Sequence, residues 1–103
     1  MVDGGTPYCG AVLAVMHLRL PDPGRWAADS RTLLTALEAR DGFVGGSLGQ
    51  AMDDPAEWVL VTEWADVGSY RRGLSAYEVK LAFAPLMPYV RDDVSAYEIV
   101  DAR

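Results

Sequence analysis

Val59-Leu60-Val61-Thr62-Glu63-Trp64 runs through Ala65 into Asp66-Val67-Gly68-Ser69-Tyr70, and this junction decides how the chain is read. The β-branched and aromatic run predicts a strand over residues 57–65. Asp66 then offers a carboxylate to the free N–H groups of a short helical turn. Tyr70 falls in that turn. A strand closing on tryptophan and a helix start carrying tyrosine set an indole N–H and a phenol O–H at one mouth of a small apolar cavity. Such groups orient an aromatic ligand.

The flanking segments complete the pattern. Residues 8–20 read as a first strand. Asp22 caps a helix whose first position is Pro23, and Trp26, Ser30, Leu33, Leu34 and Leu37 follow at helical spacing on one face. Gly42 is a left-handed end to that helix. Residues 43–52 form the second strand, and Asp53-Asp54-Pro55-Ala56 the turn into the third. Ser75-Ala76-Tyr77-Glu78 has the form of a capping box and predicts a second helix from Ser75, bent or ended by Pro85 and Pro88. Residues 94–100 make the last strand.

The order β-α-β-β-α-β predicts an α+β, ferredoxin-like fold, a four-stranded antiparallel sheet with both helices on one face. Residues 1–7, rich in Gly and Pro, are a flexible N-terminus, and residues 8–103 are a single domain. In the third strand Trp58, Leu60, Thr62 and Trp64 share one face, and Val59, Val61 and Glu63 the other. Both faces are largely apolar, and the helices cover one. The simplest cover for the other is a second subunit packed sheet to sheet, so a homodimer is expected.

The totals narrow the function classes. The 103 residues suit one domain, and 50% of them are hydrophobic. The net charge is −6, and no basic cluster exceeds Arg71-Arg72. Nucleic acid and anionic membranes both need a basic surface, so neither is expected as a partner. Cys9 is the one cysteine, which rules out an internal disulfide or a thiolate metal site. A reducing, cytoplasmic setting is expected. The acidic start Met1-Val2-Asp3 lacks the positive charge of a signal peptide. The apolar run at residues 10–16 is cut by His17 and Arg19, far short of a membrane span.

Asp41-Gly42-Phe43 opening the second strand, Thr62-Glu63-Trp64 closing the third, Tyr70 in the next turn, the helix after Ser75 and the final Tyr97-Glu98 strand resemble the antibiotic biosynthesis monooxygenase family. The resemblance spans nearly the whole chain and implies a dimeric α/β barrel. Members of that family oxidise anthrones or quinols with O2 and no cofactor, and others degrade haem. Related barrels cyclise polyketides. In the anthrone oxidisers a strand-end tryptophan and a following tyrosine line the pocket, positions held here by Trp64 and Tyr70. Their asparagine on the same strand is replaced by Leu60. The haem degraders use a histidine in the second helix, and residues 77–84 contain none.

The resemblance thus implies a cofactor-independent monooxygenase for a small aromatic substrate of anthrone or quinol type. The alternative is a cyclase-like or non-catalytic binding dimer. Trp64 and Tyr70 are the expected catalytic pair, donating hydrogen bonds to developing oxyanions. His17, the only histidine, is the natural base for a quinol proton, with an ordinary pKa near ~6.5. Trp58, aligned with Trp64, would extend an aromatic wall. Leu60, Thr62, Arg71, Tyr77, Phe83 and Tyr97 complete the candidate lining. Gly45-Gly46-Ser47-Leu48-Gly49 matches the G-x-S-x-G pattern of hydrolases but lies within a strand, without the strand-turn-helix elbow or a later histidine. No phosphate-binding loop is present, and the pairs Asp53-Asp54 and Asp92-Asp93 read as solvated turns.

Overall fold

Burial alternates along the central strand β1 (Val12–Arg19) and fixes the layering. Val12, Ala14 and Leu18 are buried, whereas Leu13, Val15 and His17 are half-buried and Arg19 is exposed. The computed structural model describes residues 10–91 and 96–103, with 23, 25 and 26 described by backbone alone. The predicted flexible segment 1–7, the strand start at Tyr8, Cys9, the Trp26 side chain, Asp92-Asp93 and the strand start at 94–95 all lie outside the described residues.

After β1 come α1 (Pro23–Glu38), β2 (Phe43–Gln50), β3 (Glu57–Trp64), α2 (Val67–Ser75), α3 (Tyr77–Phe83), a 3₁₀ segment (Ala84–Tyr89) and β4 (Ala96–Glu98). The four strands form one sheet in the order β2-β3-β1-β4, and every pairing is antiparallel. This is the predicted ferredoxin-like arrangement. β1 and β3 run in register with Val12 opposite Trp64, Ala14 opposite Thr62, Met16 opposite Leu60 and Leu18 opposite Trp58. Those residues carry the helix-facing side of the sheet. They meet Leu33 and Leu37 of α1, Val79 of α3 and Leu86 of the 3₁₀ segment in one core.

Pro23 opens α1 as expected, and Ser30, Leu33 and Leu37 are buried along its inner face. Gly42 has φ +85°, a conformation open to glycine at little cost. A β-carbon there would also collide with the Ser69 side chain. The carbonyl of Gly42 accepts from Ala65 N–H at 2.8 Å, tying this turn to the β3–α2 junction.

The expected second helix forms, but it starts at Tyr77 and not at Ser75. Ser75 ends α2 instead, and its hydroxyl donates to the Arg71 carbonyl at 2.9 Å. A serine hydroxyl turned back to donate into its own helix is aimed away from the N–H groups of the next one. The position before α3 falls to Ala76, whose side chain caps nothing. The chain then tightens into the 3₁₀ segment, where Pro85 and Pro88 supply no N–H donors for an α-helix.

Candidate functional site

Asp66 makes the junction after β3 a sharp helix start. Its Oδ1 accepts from Ser69 N–H at 2.7 Å, and that bond is the chief reason its carboxyl sits below the usual carboxylate range. The cap sets the register of α2, so Tyr70 and Leu74, one turn apart, both line a cavity.

That cavity measures about 350 Å³ and lies between the sheet and the helices. Met16 of β1 forms its floor, next to Val15, whose side chain belongs to the other face of the sheet; Leu33 and Leu37 of α1 form one wall, and Val79, Lys80 and Phe83 of α3 another. Val90 and Arg91 close the end. Tyr70, Lys80 and Arg91 are the polar side chains among these. A smaller recess of about 30 Å³ adjoins it, sharing Met16, Leu37, Tyr70 and Leu74 and reaching Leu60 and Thr62. The volume suits a small organic ligand, near the lower end of such sites.

Trp64 stands behind Tyr70. Its ring is fully buried, meets Tyr70 edge-on at 6.1 Å and Phe43 edge-on at 5.4 Å. Its indole N–H, expected to serve a ligand, donates to Thr62 Oγ1 at 2.9 Å. Trp64 therefore buttresses the tyrosine rather than opening onto the cavity. The room for its ring comes from Gly73 of α2, where a β-carbon would fall 2.6 Å from Trp64 Cη2.

The other predicted residues divide. Phe83 lines the main cavity, and Leu60 and Thr62 line the recess. Trp58 does not join an aromatic wall with Trp64. They share a face but lie six positions apart, about 20 Å along a strand. The Trp58 indole donates to the Pro55 carbonyl at 3.0 Å. His17 lies on the opposite side of the sheet from the cavity, paired across with Val59. Tyr97 shares that face, opposite Leu13, and is 49% exposed. Tyr77 is 71% exposed, and Arg71 is exposed as well; neither lines the cavity. Lys80 and Arg91 were missed, because an exposed lysine in a helix and an arginine after the 3₁₀ segment carry no pattern that marks a pocket.

Arg91 is braced at the rim. Its Nη1 reaches Glu57 Oε2 at 3.2 Å, and Glu57 Oε1 accepts from Arg19 at 2.6 Å. The Arg19 hydrogen bond is the chief cause holding the Glu57 carboxyl below its usual range. Among the described residues no group of three or more His, Cys, Asp or Glu is placed to hold a metal ion, and no helix is long and apolar enough to cross a membrane.

No protein-family model and no curated protein matches the chain. Solved structures do. SnoaB, a cofactor-independent oxygenase from Streptomyces nogalater, superimposes with a TM-score of 0.82 over 90% of this chain and 96% of its own, at 16% identity. The chain has the fold of that oxygenase. A protein provisionally assigned as an antibiotic biosynthesis monooxygenase from Chloroflexus aurantiacus gives a TM-score of 0.72 at 20% identity, covering 90% of this chain and 96% of its own. Another so assigned, from Nitrosomonas europaea, gives 0.77 at 9% identity, covering 88% and 91%. At these identities the likeness is one of fold.

Proposed function

We propose that the chain is a cofactor-independent monooxygenase of the antibiotic biosynthesis monooxygenase kind. It acts on a small aromatic substrate of anthrone or quinol type with O2, as a cytoplasmic homodimer. The observation that carries this reading is the apolar cavity of about 350 Å³ between sheet and helices, with Tyr70 in its wall, on a SnoaB-like fold.

An anthrone supplies its own reducing power. Its CH2 loses a proton to give an electron-rich enolate, and one electron passes to O2. The radical and superoxide combine into a C–O bond, and protonation gives a hydroperoxide. Loss of water then leaves C=O, so CH2 and O2 become C=O and H2O. Tyr70 donates to the enolate oxygen and makes the first ionisation easier. The apolar walls exclude water from the radical pair. His17, on the other side of the sheet, is not placed to take that proton, which leaves to solvent at the mouth.

The dimer reading rests on the sheet face that the helices leave open. Leu13, Val15, Val59 and Val61 are half-buried there, with Gly45 and Gly49 between the strands of the same face. An apolar sheet face of this kind pairs well with its own copy.

The second reading, a cyclase-like or non-catalytic binding dimer, is favoured by Leu60 and by the lack of a carboxylate or histidine in the cavity wall among the described residues. The test is aerobic turnover of a panel of anthrones and dihydroquinones by metal-free protein, followed by absorbance. Tyr70→Phe should lower kcat about tenfold or more with little change in melting temperature. Absence of any rate above buffer, with ligand binding intact, favours the second reading.

A further inference from the structure

The polar groups of the cavity are unevenly committed. Arg91 has a carboxylate within 3.2 Å, and that carboxylate also binds Arg19. Lys80 lines the same cavity, is exposed, and has no carboxylate within 4.0 Å among the described residues. No Asp or Glu among the described residues lines the cavity beside it. Lys80 precedes Phe83 by three positions on α3, so the two side chains share one side of a short helix. The Phe83 ring meets the apolar interior while a lysine stem lies along the wall and keeps its ammonium in water. Among the described residues the result is a greasy chamber with a cation at its mouth that no carboxylate engages, in a chain whose net charge is −6.

From this we infer that the ligand carries a permanent acid group, a carboxylate or an equivalent oxyanion. The acid group rests against Lys80 while the apolar aromatic body lies inward against Tyr70, Leu74 and Phe83. The inference rests on the reading of this cavity as the ligand site, and it names the substrate class. A neutral aromatic of the same shape would fill the chamber and leave the ammonium hydrated. The acid adds a charge-assisted contact that the neutral compound lacks. It also fixes which end of the molecule enters first, because a carboxylate driven into the apolar interior would lose its hydration without gaining a partner.

The test is a binding measurement that needs no oxygen. Anthracene-2-carboxylate and its neutral isostere anthracene-2-carboxamide are titrated into the full chain, followed by tryptophan fluorescence and calorimetry, at low and high salt. The wild type should bind the carboxylate at least about threefold tighter, the preference shrinking with salt. Lys80→Gln should abolish the preference by lowering carboxylate affinity while the carboxamide still binds, which also shows the cavity intact. Lys80→Arg should keep it, and Lys80→Glu should reverse it. Equal affinity for the two compounds in the wild type would overturn the inference, as would a preference that survives Lys80→Gln. Failure of both compounds to bind would overturn it together with the cavity reading. A preference lost in Lys80→Gln while every quinol and anthrone stays unoxidised supports the acid-ligand inference and counts against the oxygenase alone.

Discussion

Trp64 gives its indole N–H to Thr62 Oγ1, 2.9 Å away and two residues back on the same face of β3. Both groups are buried, Trp64 wholly and Thr62 nearly so. The bond explains how a tryptophan can sit dry beneath a helix, since a buried N–H without an acceptor is costly. It also assigns the work at this junction. Trp64 packs edge-on against the ring of Tyr70, and Tyr70 lines the cavity.

Thr62→Val keeps the shape of the side chain and removes the acceptor. It should cost about 1–3 kcal/mol of unfolding free energy, read from urea denaturation. In a Trp64→Phe background the same change should cost much less, because no indole N–H remains to be orphaned. An equal cost in both backgrounds would show that the hydrogen bond contributes nothing.

Gly73→Ala reverses the usual sign for a helix interior. Alanine ordinarily gains about 1 kcal/mol over glycine there. Here its methyl would lie 2.6 and 2.9 Å from Trp64 Cη2 and Cζ3, and the ring has Phe43 and Tyr70 against it. A net loss of about 1–3 kcal/mol is expected from overpacking, with Tyr70 displaced and ligand affinity lowered. Gly24→Ala in α1 is the control, since its β-carbon would meet nothing closer than Asp22 Oδ1 at 3.7 Å. It should not lower stability.

The sheet was legible because strands announce themselves through alternation and turn residues, as in Glu57–Trp64 after Pro55. What alternation cannot say is which face receives the helices, since a period of two treats both faces alike. That choice is made by Leu33 and Leu37 packing over Met16 and Leu60, and it puts His17 on the far side. Ser75 misled for a different reason. A hydroxyl that bonds back to the Arg71 carbonyl looks, in sequence, the same as one that caps a new helix. Trp58 and Trp64 share a face in the pattern, but a pattern carries no distances. Lys80 was invisible because its meaning depends on the cavity beside it.

The cap at Asp66 has a pH signature. Its carboxyl is held below the ordinary 3.8, first by the Ser69 N–H and then by the Ser69 side chain. A depressed folded-state value means stabilisation that is fully present above the unfolded value and lost as pH falls through the folded one. Asp66→Asn keeps an acceptor for Ser69 N–H and removes the charge. The wild type should melt higher than this variant at pH 6, the gap narrowing below about pH 4 and closing at lower pH. A gap that stays constant from pH 6 to pH 2 would show that the charge has no part in the cap.

The open sheet face gives the last prediction. Val61 pairs with Val15 across β1 and with Ser47 across β2, at the middle of the half-buried apolar stripe. Val61→Glu puts a charge where two copies would meet, and burying it without a partner is prohibitive. The wild type should sediment as a dimer at micromolar concentration, and the variant as a monomer of lower melting temperature. The cavity is built from one chain and lies on the other side of the sheet, so the monomer should still bind an aromatic ligand, only more weakly as its scaffold softens. A wild type that sediments as a monomer would sink the dimer. A monomeric variant that folds well yet binds nothing would show that the second copy completes the site.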